Sequence, residues 1–136
     1  MSKRLDENLG TVDYDGLIVT NEPVADVFTV TIRKEASAEA TLKRGTVLAL
    51  SGGTAGDGKM VALGTTAKSN ETFTANAILC DDTKVGTDAD VEATAYRTGH
   101  FARNKLIFSG SSYTLKPADE EALRAAGILL SDALDY

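Results

Sequence analysis

The chain has 136 residues, 43% hydrophobic and 25% charged, with a formal net charge of −6, which bounds it to one globular domain, with or without an arm. Its 14 Lys and Arg residues are scattered, with Lys3-Arg4, Arg33-Lys34 and Lys43-Arg44 only as doublets, and this argues against nucleic acid as a partner because phosphate binding needs clustered cations. A lone Cys cannot form an internal disulfide and no apolar run reaches signal-peptide or transmembrane length, so the expectation is synthesis in cytoplasm and no membrane partner.

Residues 1–23 are polar, with Gly10, Gly16 and Pro23 as breakers and Leu17-Ile18-Val19 as an apolar island. The stretch VFTVTIRK then alternates strictly, Phe28, Val30 and Ile32 against Thr29, Thr31 and Arg33, which predicts a half-buried strand. An alanine-rich polar spacer follows, and a boundary is placed near Ala40. Residues 1–40 are therefore expected to be an extended N-terminal arm, mobile until a sheet edge accepts it, and residues 41–136 a globular domain.

Two short β runs, residues 47–50 and 60–63, flank the glycine-rich SGGTAGDGK and read as a hairpin. Residues 73–80 form the next expected strand, buried on both faces near Ile78-Leu79-Cys80. DDTKVGTDAD reads as a loop. Residues 90–98 alternate again, Gly99 is expected to break that strand, and a last strand region is expected from Phe101 to Phe108. Residues 117–126 read as the one helix. Pro117 suits its first position, Asp119, Glu120 and Glu121 complement its positive end, and Gly127 suits the residue past its end. Glu120 and Arg124 are spaced to pair, Lys116 is a poor N-cap, and Ala118, Ala122 and Ala125 share a small face fit to approach a sheet or another subunit. The pattern predicts a β-rich α/β protein: a small twisted sheet or partial barrel, one short C-terminal helix and the arm.

No motif for catalysis holds together. Gly53 to Lys59 opens like a phosphate-binding loop, but Met60 and a β run stand where the Ser or Thr and the helix are required; a mobile hairpin loop is the better reading. Of Asp81, Asp82, Asp88 and Asp90 only Asp88 and Asp90 show the alternation of a calcium loop, and no Gly or closing Glu follows at the required places. Cys80 at the end of an apolar strand reads as a small buried hydrophobe and His100, just past a turn glycine, as a backbone or subunit contact rather than as a nucleophile and its base. A single His also removes the usual multi-His zinc sites. Catalytic residues, metal sites and cofactors are therefore expected to be none.

From Leu42 onward the order of landmarks resembles the bacteriophage lambda head decoration protein family: Gly45-Thr-Val-Leu, Val61-Ala-Leu-Gly64, Ala77-Ile-Leu79, the alternating 93–98, Gly99-His-Phe-Ala-Arg103 leading to Leu106, and the PADEEALRAAGI tail. The resemblance covers about two-thirds of the chain. It implies a homotrimer that caps local threefold sites on an expanded phage head, cementing the major capsid protein. The residues expected to bind the capsid, from pattern alone, are Leu17, Ile18, Val19, Phe28, Val30 and Ile32, the apolar positions of the arm. A phage tail or fibre accessory module and a small-ligand enzyme domain are the competing readings.

Overall fold

The computed structural model describes residues 16–20, 23–110 and 113–132. Nine strands, β1 (Ile18–Thr20), β2 (Asp26–Ile32), β3 (Ala40–Leu42), β4 (Val47–Gly52), β5 (Met60–Ala62), β6 (Thr72–Leu79), β7 (Thr83–Val85), β8 (Val91–Ala102) and β9 (Ile128–Ser131), accompany one helix, α1 (Pro117–Ala126), and a 3-10 turn at Arg103–Lys105. The β-rich architecture with one C-terminal helix is the one the sequence pattern predicts.

β8 organises the fold. Its first half pairs antiparallel with β2, from Ile32↔Val91 to Asp26↔Thr98, and with β6 at Ile78↔Tyr96 and Leu79↔Ala95. Its last residues lie between β1 and β9. β4 pairs with both β5 and β6, forming the expected hairpin with β5. The circuit β8, β2, β5, β4, β6 makes a partial five-stranded barrel. Its thinnest seam is the parallel β2–β5 pair, joined at Ile32↔Met60.

Two apolar clusters result. Val30, Ile32, Leu48, Met60, Ala77, Leu79 and Ala95 come from all five barrel strands and pack with Val85 from the small β3–β7 ribbon. Leu17, Val47, Ala49, Ile78, Tyr96, Phe101, Leu123 and Ile128 form the second cluster, under α1 and β9. β4 serves both, Leu48 in the first and Val47 and Ala49 in the second, which is why VLAL shows no simple alternation.

Four expectations are corrected. The boundary near Ala40 does not exist in the structure, because β2 is paired along its whole length with β8. Its large side chains meet small ones across the ladder, Phe28 opposite Ala95 and Val30 opposite Ala93, so the apolar face of the strand finds a partner within its own chain. Gly99 does not end β8. It adopts φ +147, where a Cβ would lie 2.7 Å from the Phe101 ring, so the glycine lets the strand continue while Phe101 folds over the vacant position. Residues 103–106 turn away instead of extending a strand. Finally, β3, β7 and β9 fall in segments too short or too polar to read as strands.

α1 is capped as its composition allows. The Asp119 carboxylate accepts the Lys116 N–H at 3.0 Å and the Tyr113 hydroxyl, and Gly127 closes the helix at φ +115. Burial and the Asp119 carboxylate push the Tyr113 hydroxyl up to about 12. Glu120 turns away from Arg124 to Arg103, and Glu121 takes Arg124 instead. Leu123 is the helix residue buried in the core; Ala118 and Ala125 stay exposed and Ala122 is half-buried.

Candidate docking surface

The residues that carried possible chemistry are spread apart and occupied. Cys80 donates its N–H to Thr94 O, placing it six residues along β8 from His100, or about 20 Å at the rise of an extended strand. The His100 ring lies across three strands, Nδ1 3.2 Å from Thr20 Oγ1 and Nε2 2.9 Å from Ser131 Oγ. The Cys80 carbonyl accepts Arg44 Nη1, which also donates to the Tyr96 hydroxyl at 2.6 Å; burial pushes that hydroxyl up. Asp90 accepts the Lys34 N–H and pairs with Lys59. Among the described residues no three acids, His or Cys gather where a metal could bind.

The glycine-rich loop is tied down rather than mobile. Arg33, leaving β2, donates from Nε and Nη2 to both Asp57 oxygens at 3.0 Å, to Ser51 Oγ at 3.0 Å and to the Glu71 carboxylate. Ser51 donates to the same Glu71 oxygen at 2.5 Å, and the Lys68 N–H to the other at 3.0 Å. The Glu71 side chain is fully buried, and these donors hold its carboxyl down at about 2, the Lys68 N–H first, then Ser51, then Arg33. Asp57 lies well below the usual carboxylate range for the same guanidinium. Gly56 packs where a Cβ would overlap the Gly52 backbone at 2.4 Å, and Gly53 where one would meet Asn70 O at 2.7 Å. The glycines serve close backbone packing, and β5 follows where a phosphate loop requires a helix. Sequence reading missed this knot, since Arg33 and Glu71 are 38 positions apart and nothing local marks them as partners.

The six residues expected to face a capsid divide sharply. Leu17, Val30 and Ile32 are buried in the two cores, and Phe28 and Ile18 are half-buried against them. Their burial corrects the expectation that these side chains are free to meet a partner. Val19 is exposed, and two residues outside the expected set join it on the same part of the chain, Val24 at 70% and Val27 at 43% exposure. β1 and β2 follow one another along one edge of β8. On its far edge, β2 has a described strand partner at Ile32 alone. Among the described residues, β2 thus presents an edge that meets another strand only at Ile32, close to the exposed Val24 and Val27.

Residues 10–131 match the family model described as bacteriophage lambda head decoration protein D. The match spans most of the 136 residues, and the chain belongs to that family, whose members decorate the capsid of the virion and are structural proteins. No curated protein gives a significant match.

Proposed function

We propose that the protein cements the expanded head of its phage, binding the major capsid protein at local threefold sites as a homotrimer after synthesis in the host cytoplasm. The observation that carries this reading, beyond family membership, is the far edge of β2. Beside Val27, the backbone N–H and C=O groups on the far side of β2, which meet a described strand only at Ile32, are a template for strand addition. Capsid contact therefore falls on this edge and on the residues that precede it, with Leu17, Val30 and Ile32 shaping the edge from inside. Ile18 and Phe28 contribute through their exposed margins.

Three weak attachments on one trimer multiply, so modest affinity per edge suffices. The contact between copies uses the alanine-rich outer face of α1, where Ala118 and Ala125 are exposed, in a head-to-tail ring that closes at three. The protein acts without catalysis, cofactor, nucleic acid or membrane.

Electron microscopy of heads expanded without the protein and then incubated with it tests this directly. Density for three copies at each local threefold is expected, with β2 next to shell density. Copies on the tail, or dimers on the head, would refute it.

A further inference from the structure

A cleft of about 970 Å³ opens where β2 and β5 part beyond their single shared position. Arg33 N–H donates to Met60 O at 2.9 Å, and past that bond the chain leaving β2 and the chain leaving β5 diverge around the opening. The floor includes the buried Ile32, Val61 and Ala62, and Ile107 lines it while remaining 39% exposed.

The lining gathers cations on an acidic protein. Five cations, Arg33, Lys34, Lys43, Lys59 and Lys68, line it with three carboxylates, Glu35, Asp57 and Asp90, and from just outside the lining Glu71 pairs with Arg33 and Asp82 with Lys43. Asp57 is engaged by Arg33 and Asp90 by Lys59. Lys34 and Lys68 are exposed and form no ion pair among the described residues.

An apolar floor under unpaired cations suits an extended polypeptide, because alternate side chains of a strand point to opposite sides. Apolar residues would meet the floor while intervening carboxylates met Lys34 and Lys68. Nucleic acid fits poorly, since two free ammonium groups release too few counterions for useful affinity.

We propose that this cleft receives an extended, acidic segment of the capsid shell protein, making a second attachment that begins where the β2 edge ends. The proposal rests on the decoration reading above and names a further part of the same interface.

The test titrates the full-length protein onto expanded, undecorated heads. The Lys34→Glu/Lys68→Glu variant should need roughly 10-fold more protein for half-saturation and lose part of the wild type's salt sensitivity. Lys84→Glu/Lys116→Glu, exposed cations outside the cleft, should bind as wild type. Equal half-saturation for wild type and the cleft variant overturns the proposal. A wild type that fails to bind heads overturns the decoration reading itself and the proposal with it. A photo-crosslinker replacing Ile107 supplies a second readout: an adduct with an acidic stretch of the shell protein supports the cleft assignment. An adduct with DNA or with another copy of this chain refutes it.

Discussion

Arg33 and Lys34 are adjacent in the chain and opposite in circumstance. The guanidinium is spent inside the molecule on Asp57, Ser51 and the buried Glu71, and those carboxylates raise its already high proton affinity further. One residue on, the Lys34 ammonium stands exposed at the rim of a cleft without an ion-pair partner among the described residues. A planar, many-donor cation is suited to a fixed multidentate knot, while a flexible, hydrated ammonium can wait for a partner at little cost. The contrast separates charge that holds the fold from charge left for an interface.

Substitutions should fall on either side of that line. The largest effect is expected on the interior side of β2, at Val30, which is 5% exposed in the barrel. Val30→Asp should bury an unpaired carboxylate and cost about 4 kcal/mol or more, seen as loss of a cooperative denaturation transition. Val30 is one of the residues expected to bind the capsid, and its burial in the barrel makes loss of folding the first expected outcome of the change.

Arg33→Ala comes next. It strands the buried Glu71 carboxylate and releases Asp57, and should cost about 3–5 kcal/mol, read from the midpoint of urea unfolding. If the cost stays near that of a surface change, the knot does not hold the loop.

Acid should expose the same knot more gently. The folded-state value of Glu71, about 2, lies below its ordinary 4.5, so its contribution is complete above the ordinary value and drains away as pH falls from there through about 2. Asp57 is displaced in the same direction and extends the loss to still lower pH. Glu71→Gln should flatten the stability slope between pH 4.5 and 2 in thermal unfolding measured across that range. An unchanged slope would mean that another carboxylate dominates.

The smallest effect on stability belongs to the rim. Lys34→Glu/Lys68→Glu should move the unfolding midpoint by no more than about 0.5 kcal/mol, while head binding falls. Destabilisation comparable to Arg33→Ala would place these lysines with the knot and erase the distinction.

What the sequence revealed follows the same divide between local and distant causes. The β4–β5 hairpin, β6, the start of β8 and the proline-to-glycine limits of α1 were legible because periodicity and end residues are written within a few positions. The alternation of Phe28, Val30 and Ile32 was read correctly as one apolar face, but periodicity is silent on whether the partner is another molecule or the same chain 63 residues away, as in Val30↔Ala93. The Arg33–Glu71 bond and the pairing of β9 with β8 depend on chain return, which no local window contains. Val24 and Val27 went unnoticed as surface because exposure is decided by what does not cover a residue.

The twelve residues of β8 run unbroken through Gly99, with β2 and β1 along one side and β6 and β9 along the other. Mechanically, β8 is the member through which the two sides of the sheet are joined. Tension applied lengthwise through β2 loads the seven β2–β8 positions together, in shear, so they must yield at once rather than open one by one like a zipper. Resistance to such a pull is set by the rate of unfolding rather than by equilibrium stability. A cement whose gripping strand is stitched in this way would tear from its substrate before it came apart.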